Sequence, residues 1–109
     1  MKSLFFCLLF TITFNSLYSQ VSTEDRNKAV SFINQADAYI KAEGYSQAII
    51  KLKTAIKLDS TIRDAFILIN RAFYETGNRS SQLEYLKKAK SIYTDDDEFP
   101  YHLGKIYQK

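Results

Sequence analysis

The sequence predicts an all-α protein, an α-solenoid of antiparallel helical hairpins with about five helices in the mature chain. Three observations lead to this prediction. The 109 residues include one Pro and three Gly, so few positions interrupt a helix. Apolar residues recur at helical spacing along the chain. Apolar and small residues also repeat at an interval of 34, a register that a single amphipathic helix does not explain.

Length and composition limit the class of protein. A chain of 109 residues forms one small domain, and its 46% hydrophobic content argues against general disorder. The net charge of +3 is too small to indicate a nucleic-acid partner. We therefore expect a single folded domain that does not bind nucleic acid.

Residues 1–19 have the pattern of a secretory signal peptide. Lys2 precedes an apolar run from Leu4 to Phe14, and polar and small residues follow it up to Ser19. The run is too short to cross a hydrocarbon core of ~30 Å, so a cleaved signal is favoured over a membrane anchor. We expect an exported protein, periplasmic or secreted, with no stable membrane span after cleavage.

Cleavage near Ser19 changes the chemistry of the chain. It leaves 90 of the 109 residues and lowers the net charge from +3 to +2, because Lys2 is the only charged residue removed. It also removes Cys7, the only cysteine. Disulfides, thiol catalysis and cysteine-ligated metals are thereby excluded from the mature protein.

The 34-residue interval defines the domain organisation. It separates Tyr39, Phe73 and Tyr107, and likewise the pairs Phe32 and Phe66, Leu52 and Leu86, and Ala55 and Ala89. We expect a lead-in and the start of the first helix over 20–28, a first repeat over 29–62 and a second over 63–96. Residues 97–109 form either the first helix of a third repeat or a capping helix. A stop inside the third unit favours a longer protein over a cap.

Local signals place the ends of the helices. Capping-box spacing at the starts of the two leading helices is present in Ser22-x-x-Asp25 and Thr61-x-x-Asp64. Breaks or turns are expected at Gly44, over 58–60 and at Gly77. Pro100 fits the first turn of a helix, so the last helix should begin near Asp97.

The repeat resembles the tetratricopeptide repeat (TPR), a 34-residue helical hairpin with an aromatic, small and apolar signature. The first unit carries Phe32, Ala36 and Tyr39, then Ala48, Leu52 and Ala55; the second carries Phe66, Ile69 and Phe73, then Leu86 and Ala89; a third begins with Leu103, Gly104 and Tyr107. The resemblance covers about residues 24–109. Asn70 and Gln82 replace small packing residues, so we expect the second unit to pack less tightly.

Small residues at these positions have a physical reason, because helices approach to ~8–10 Å only where short side chains admit the neighbour. The expected repeat-packing residues are Ala36, Tyr39, Ala48, Ala55, Phe73, Ala89, Gly104 and Tyr107.

In the resembled family, the leading helix of each repeat lines a concave groove that binds other proteins. The resemblance implies that the partner-binding groove consists of Ile33, Asn34, Asp37, Lys41, Asp64, Ile67, Leu68, Arg71, Tyr74, Tyr101, His102 and Lys105. The alternative is that some of these residues pack against a further helix. The basic clamp with which some members grip a terminal carboxylate is not reproduced. Its places are occupied by Ile33, Asp37, Leu68, Glu98 and His102.

Candidates for catalysis or metal binding are few. His102 is the only histidine, and Glu98 one turn away offers no complete ligand set or catalytic pair. The acidic run over 95–98 lacks the glycine and alternating ligands of a calcium loop, so helix capping is the favoured interpretation. Asn78-Arg79-Ser80 matches a glycosylation sequon. With no phosphate loop, nucleophile elbow or zinc-helix motif, we expect no catalytic residue, no metal and no cofactor.

The leading functional hypothesis is a non-catalytic scaffold of the cell envelope that binds a peptide or partner helix in the groove of a short solenoid. The alternative is the N-terminal module of a longer envelope protein, such as a sensor or a wall-anchored outer-membrane component, whose activity lies downstream. A small enzyme is the third hypothesis, and it would require an activity that depends on His102.

Overall fold

A computed structural model describes residues 21–107 of the chain, with the backbone alone for the last of them. Over this range the protein is all-helical, with five helices and no strand, as the sequence predicts. The helices are α1 (Thr23–Lys41), α2 (Tyr45–Leu58), α3 (Arg63–Thr76), α4 (Arg79–Ile92) and α5 (Glu98–Tyr107). Each helix packs against the next along the chain. The signal peptide predicted over 1–19 and its cleavage site lie outside the described residues.

The second helices of the two hairpins match in length and position. Both α2 and α4 have 14 residues, and their starts at Tyr45 and Arg79 are 34 positions apart, as are their ends at Leu58 and Ile92. The leading helices are less regular, since α1 has 19 residues and α3 has 14. The period of the sequence is therefore kept most closely by α2 and α4.

The two predicted capping boxes have different outcomes. The Ser22 hydroxyl accepts a hydrogen bond from the Asp25 N–H at 3.1 Å, so α1 begins as the sequence predicts. The box predicted at Thr61 is wrong, because α3 has Ile62 as its N-cap and no side-chain cap. The Thr61 hydroxyl instead donates to Asp59 Oδ1 at 2.5 Å, within the turn that precedes the helix.

The turn between α1 and α2 contains the break that the sequence places at Gly44. The left-handed residue there is Glu43, with φ of 62°, while Gly44 is the N-cap of α2. A Cβ on Gly44 would lie 3.3 Å from Tyr39 Cδ1, so the glycine leaves room for that ring. Tyr39, expected as a repeat-packing residue, therefore packs at the hairpin turn and stays 38% exposed.

Small residues and branched aliphatic residues form the core of the first hairpin. Ala36 on α1 and Ala48 on α2 are both fully buried, as are Leu52 and Ala55 further along α2. Short side chains on both partners let two helices lie close together. The alanines predicted from the repeat thus occupy positions where helices meet.

An aromatic cluster joins α3, the end of α4 and α5. The Phe66 ring meets Tyr93 edge-on at 6.0 Å between centroids and Phe99 at 6.5 Å. Phe66 and Phe99 are 1% and 0% exposed. The backbones of α1 and α3 come within 8 Å of each other, Cα to Cα, whereas those of α3 and α5 stay farther apart. Because helix separation depends on the side chains at the contact, the two large rings account for the wider spacing.

An arginine latch ties α1 to the turn that precedes α3. Arg26 Nη1 donates to Asp59 Oδ2 at 3.1 Å and to Thr61 Oγ1 at 3.4 Å. Asp59 also accepts the Thr61 N–H at 2.9 Å. Burial acts to raise the pKa of Asp59, but the hydrogen bonds from Thr61 and the charge of Arg26 outweigh it and lower the pKa overall.

A second arginine latch repeats this arrangement between α3 and the start of α5. Arg63 donates to Asp96 and, through Nη2, to Glu98 Oε2 at 2.5 Å. Asp96 Oδ1 accepts the Glu98 N–H at 3.0 Å, two residues along the chain, as in the first latch. The hydrogen bonds from Arg63 and from the Glu98 N–H lower the pKa of Asp96. The two latches fix where each leading helix begins relative to the one before it.

Acid should weaken both arginine latches. The pKa of each aspartate is lower in the folded chain than its ordinary 3.8, so the charged carboxylates stabilise the fold above that value. This stabilisation is lost as the pH falls through the lower, folded pKa. Asp59→Asn combined with Asp96→Asn should lower the melting temperature at neutral pH. It should also flatten the decline in melting temperature between about pH 5 and about pH 2.

Thermal melts followed by circular dichroism test this prediction. Asp37→Asn is the matched control, because it removes an exposed ion pair with Lys41 at 2.9 Å. Such surface pairs contribute little to stability. A control that changes the acid response as much as the latch variant does would contradict the prediction.

Candidate functional site

A cleft with a volume of about 620 Å³ lies between α3 and α5, where the two backbones are held apart. Five of the residues predicted for the partner-binding groove line it, namely Ile67, Arg71 and Tyr74 from α3 and His102 and Lys105 from α5. We call this feature the α3–α5 cleft. Its walls come from two consecutive leading helices and from α4, the helix between them.

The α3–α5 cleft is also lined by five residues that the groove prediction did not include, namely Asn70, Arg79, Gln82, Glu98 and Ile106. Gln82 Nε2 donates to Asn70 Oδ1 at 2.8 Å, and both side chains are buried. The pair satisfies one polar group of each amide, as buried polar groups require. Asn70 and Gln82 stand where the resembled repeat has small packing residues. This difference is the signal in the sequence for this part of the cleft.

Exposed aromatic side chains lie at the cleft and beside it. Tyr74 lines the cleft and is 70% exposed, whereas Tyr101 is 58% exposed and does not line it. Lys105 Nζ lies 4.6 Å from the centroid of the Tyr101 ring, within range of a cation–π interaction. The Tyr101 side chain raises the pKa of Lys105, first through a hydrogen bond and then through its charge.

The other predicted groove residues lie outside the α3–α5 cleft. The prediction that Ile33 lines the groove is corrected, because its side chain is only 8% exposed and belongs to the hydrophobic core. Its neighbours on α1 are at the surface, where Asp37 and Lys41 form an ion pair. The remaining residues are Asn34 and Asp64, both exposed, and Leu68, half-buried against the core. A continuous groove along all three leading helices is therefore not formed from these side chains.

Most of the predicted repeat-packing residues are buried. Five of them have side chains that are 1% exposed or less, namely Ala36, Ala48, Ala55, Phe73 and Ala89. Gly104 is exposed, and a Cβ built on it would meet no described atom within 4 Å, so close packing does not require glycine there. The side chain of Tyr107 lies outside the described residues.

Acid–base partners near His102 are already engaged. His102 Nε2 lies 3.7 Å from Glu98 Oε1, and Glu98 is held by Arg63. Within residues 21–107, no group of His, Cys, Asp and Glu side chains is placed to hold a metal ion. The asparagine of the predicted glycosylation sequon, Asn78, is outside the cleft lining. It is the N-cap of α4, and its Oδ1 accepts the Ser81 N–H at 3.2 Å. The chemistry that the cleft offers is therefore apolar contact and positive charge.

No protein-family model and no curated protein matches the chain. In the part of the chain that the structure describes, none of the helices combines the length and apolarity needed to cross a membrane.

Proposed function

We propose that this protein is a non-catalytic protein–protein interaction scaffold of the cell envelope, which binds a peptide or partner helix in a short TPR-like solenoid. The observation that carries the proposal is the α3–α5 cleft, lined by Ile67, Arg71 and Tyr74 from one leading helix and His102 and Lys105 from the next. Apolar clefts with a few charged side chains at their edges are typical binding sites.

The TPR-like arrangement is part of the proposal. It is supported by the interval of 34 residues between α2 and α4, by the buried alanines and by the contacts between successive helices. Repeat proteins of this kind bind partners through an extended concave surface. The cell-envelope location is supported by the signal-peptide pattern of residues 1–19.

Combining Ile67→Asp with Tyr74→Ala should abolish partner capture, because it places a charge in the apolar wall and removes the exposed ring of the α3–α5 cleft. The mature protein is used to capture partners from an envelope fraction, and helix content is followed by circular dichroism. Ile50→Asp is the control, since Ile50 is 65% exposed on α2 and does not line the cleft. Capture that survives in the double variant, with helicity intact, would place binding elsewhere.

A second candidate is that the chain is the N-terminal module of a longer envelope protein, with its activity downstream. The outer side of α5 favours this candidate, because Tyr101 is 58% exposed and Gly104 has open space beside it. A further helix packed there would bury both. Reading the gene beyond Lys109 decides between the candidates: a stop codon favours the scaffold, and continued repeats or an added domain favour the module.

A further inference from the structure

The α3–α5 cleft carries an excess of positive charge. Arg71, Arg79 and Lys105 all line it, each from a different helix. Within residues 21–106, none of the three forms an ion pair with a carboxylate, whereas Arg26 and Arg63 both do. Their positive charges are therefore not neutralised by a carboxylate of the described residues, although Lys105 also contacts the Tyr101 ring.

The single carboxylate in the cleft wall does not offset them. Glu98 Oε2 lies 2.5 Å from Arg63 Nη2, but Arg63 also pairs with Asp96, so the second arginine latch keeps one negative charge against the three cations of the cleft. Its other oxygen lies 3.7 Å from His102 Nε2. The charge that remains uncompensated in the cleft is positive.

The positive charge is concentrated toward one end of the cleft. Arg63 and Glu98 are the first residues of α3 and α5, and they are in contact, so the two helices begin side by side. Arg71 lies eight residues along α3, which is a rise of ~12 Å, and Lys105 lies in the last turn of α5. The basic end of the cleft is thus toward Tyr74, whereas the helix starts hold one arginine between two carboxylates.

Apolar surface accompanies these cations. Ile67 on α3 and Ile106 on α5 are half-buried, and both line the cleft together with the exposed Tyr74 ring. A ligand that only carried negative charge would leave this surface exposed to water. Burial of apolar surface stabilises a complex, so an occupant with an apolar side chain is favoured.

We infer that the α3–α5 cleft binds an internal segment of a partner protein in which acidic side chains flank an apolar one. The apolar side chain contacts Ile67 and Ile106, and the carboxylates pair with Arg71, Arg79 and Lys105. A chain terminus supplies only one carboxylate. Three cations from three helices accommodate several carboxylates, which acidic side chains within a segment provide. This inference specifies the partner of the cleft and so rests on the proposed function.

Binding of short fluorescent peptides, measured by anisotropy, tests this inference. The probe has two leucines flanked by glutamates and is blocked at both ends. The comparison peptides replace the glutamates by serine, replace them by lysine, or replace the leucines by serine. We expect the acidic and apolar probe to bind roughly tenfold or more tightly than any of the three, with affinity that falls as salt is added.

Charge reversal identifies the residues responsible. Arg71→Glu combined with Lys105→Glu should weaken binding of the probe roughly tenfold or more. Lys87→Glu combined with Lys88→Glu makes the same change in net charge on the exposed face of α4, outside the cleft, and should have little effect. Circular dichroism is used to check that both variants fold.

Three outcomes overturn the inference. They are equal binding of the serine-for-glutamate peptide, equal weakening by the α4 control, and no binding of the probe at all. The variant with Ile67→Asp and Tyr74→Ala separates this inference from the proposed function. If it loses partner capture and one of these outcomes is also observed, the cleft is still a binding site, but its partner is not acidic.

Discussion

Replacing Phe66 by alanine should lower the free energy of unfolding by roughly 3–5 kcal/mol, the usual cost of removing a buried phenylalanine side chain. Phe66 is 1% exposed, and its ring contacts those of Tyr93 and Phe99, which also contact each other. The substitution therefore leaves a cavity where α3, α4 and α5 meet. Because small domains have about 5–15 kcal/mol of total stability, this is a large share of it.

Urea unfolding of the protein, followed by circular dichroism, measures this cost. Tyr74→Ala is the matched control, because Tyr74 is an aromatic residue on the same helix and is 70% exposed. The control should change stability by less than about 0.5 kcal/mol. Equal effects of the two substitutions would show that the aromatic cluster does not hold α5 against α3.

Replacing Ala48 by leucine should destabilise the first hairpin by about 1–3 kcal/mol, because a larger side chain overpacks a filled contact. Ala48 is fully buried on α2, which packs against α1. Ala38→Leu makes the same chemical change at an exposed position of α1 and should be nearly neutral. A neutral or stabilising Ala48→Leu, measured in the same unfolding experiment, would contradict close packing of small residues.

Much of the architecture could be predicted from the sequence, because it depends on local periodicity. Helical spacing of apolar residues and few breakers predicted five helices, and the structure has five over its described range. The Ser22 cap also followed from a pattern of four residues. The Thr61 cap failed because a side chain from an earlier residue, Asp59, takes the Thr61 hydroxyl as a partner.

The arginine latches were missed because they join residues that are distant in the chain. Arg26 reaches Asp59 and Arg63 reaches Asp96, each over a separation of 33 residues. A signal was present in the sequence. The arginines are 37 residues apart, as are the aspartates, and both intervals differ from the apolar period of 34. A search restricted to that period passes over them.

The position of the α3–α5 cleft could be predicted only in part. The resemblance to TPR proteins indicated leading-helix residues such as Ile67, Arg71 and Lys105, which do line it. It did not indicate that Ile33 enters the core or that α3 and α5 stand apart. That separation depends on the size of Phe66 and Phe99 where the helices meet, which periodicity does not describe.

Site-specific photo-crosslinking in cells that produce the protein tests most directly whether partners bind in the α3–α5 cleft. The crosslinking residue replaces Tyr74, which is 70% exposed in the cleft, or Ile50, which is 65% exposed on α2 and outside it. We expect a discrete adduct from position 74 and none from position 50. Adducts of similar yield from both positions, or from position 50 alone, would contradict a binding role for the cleft.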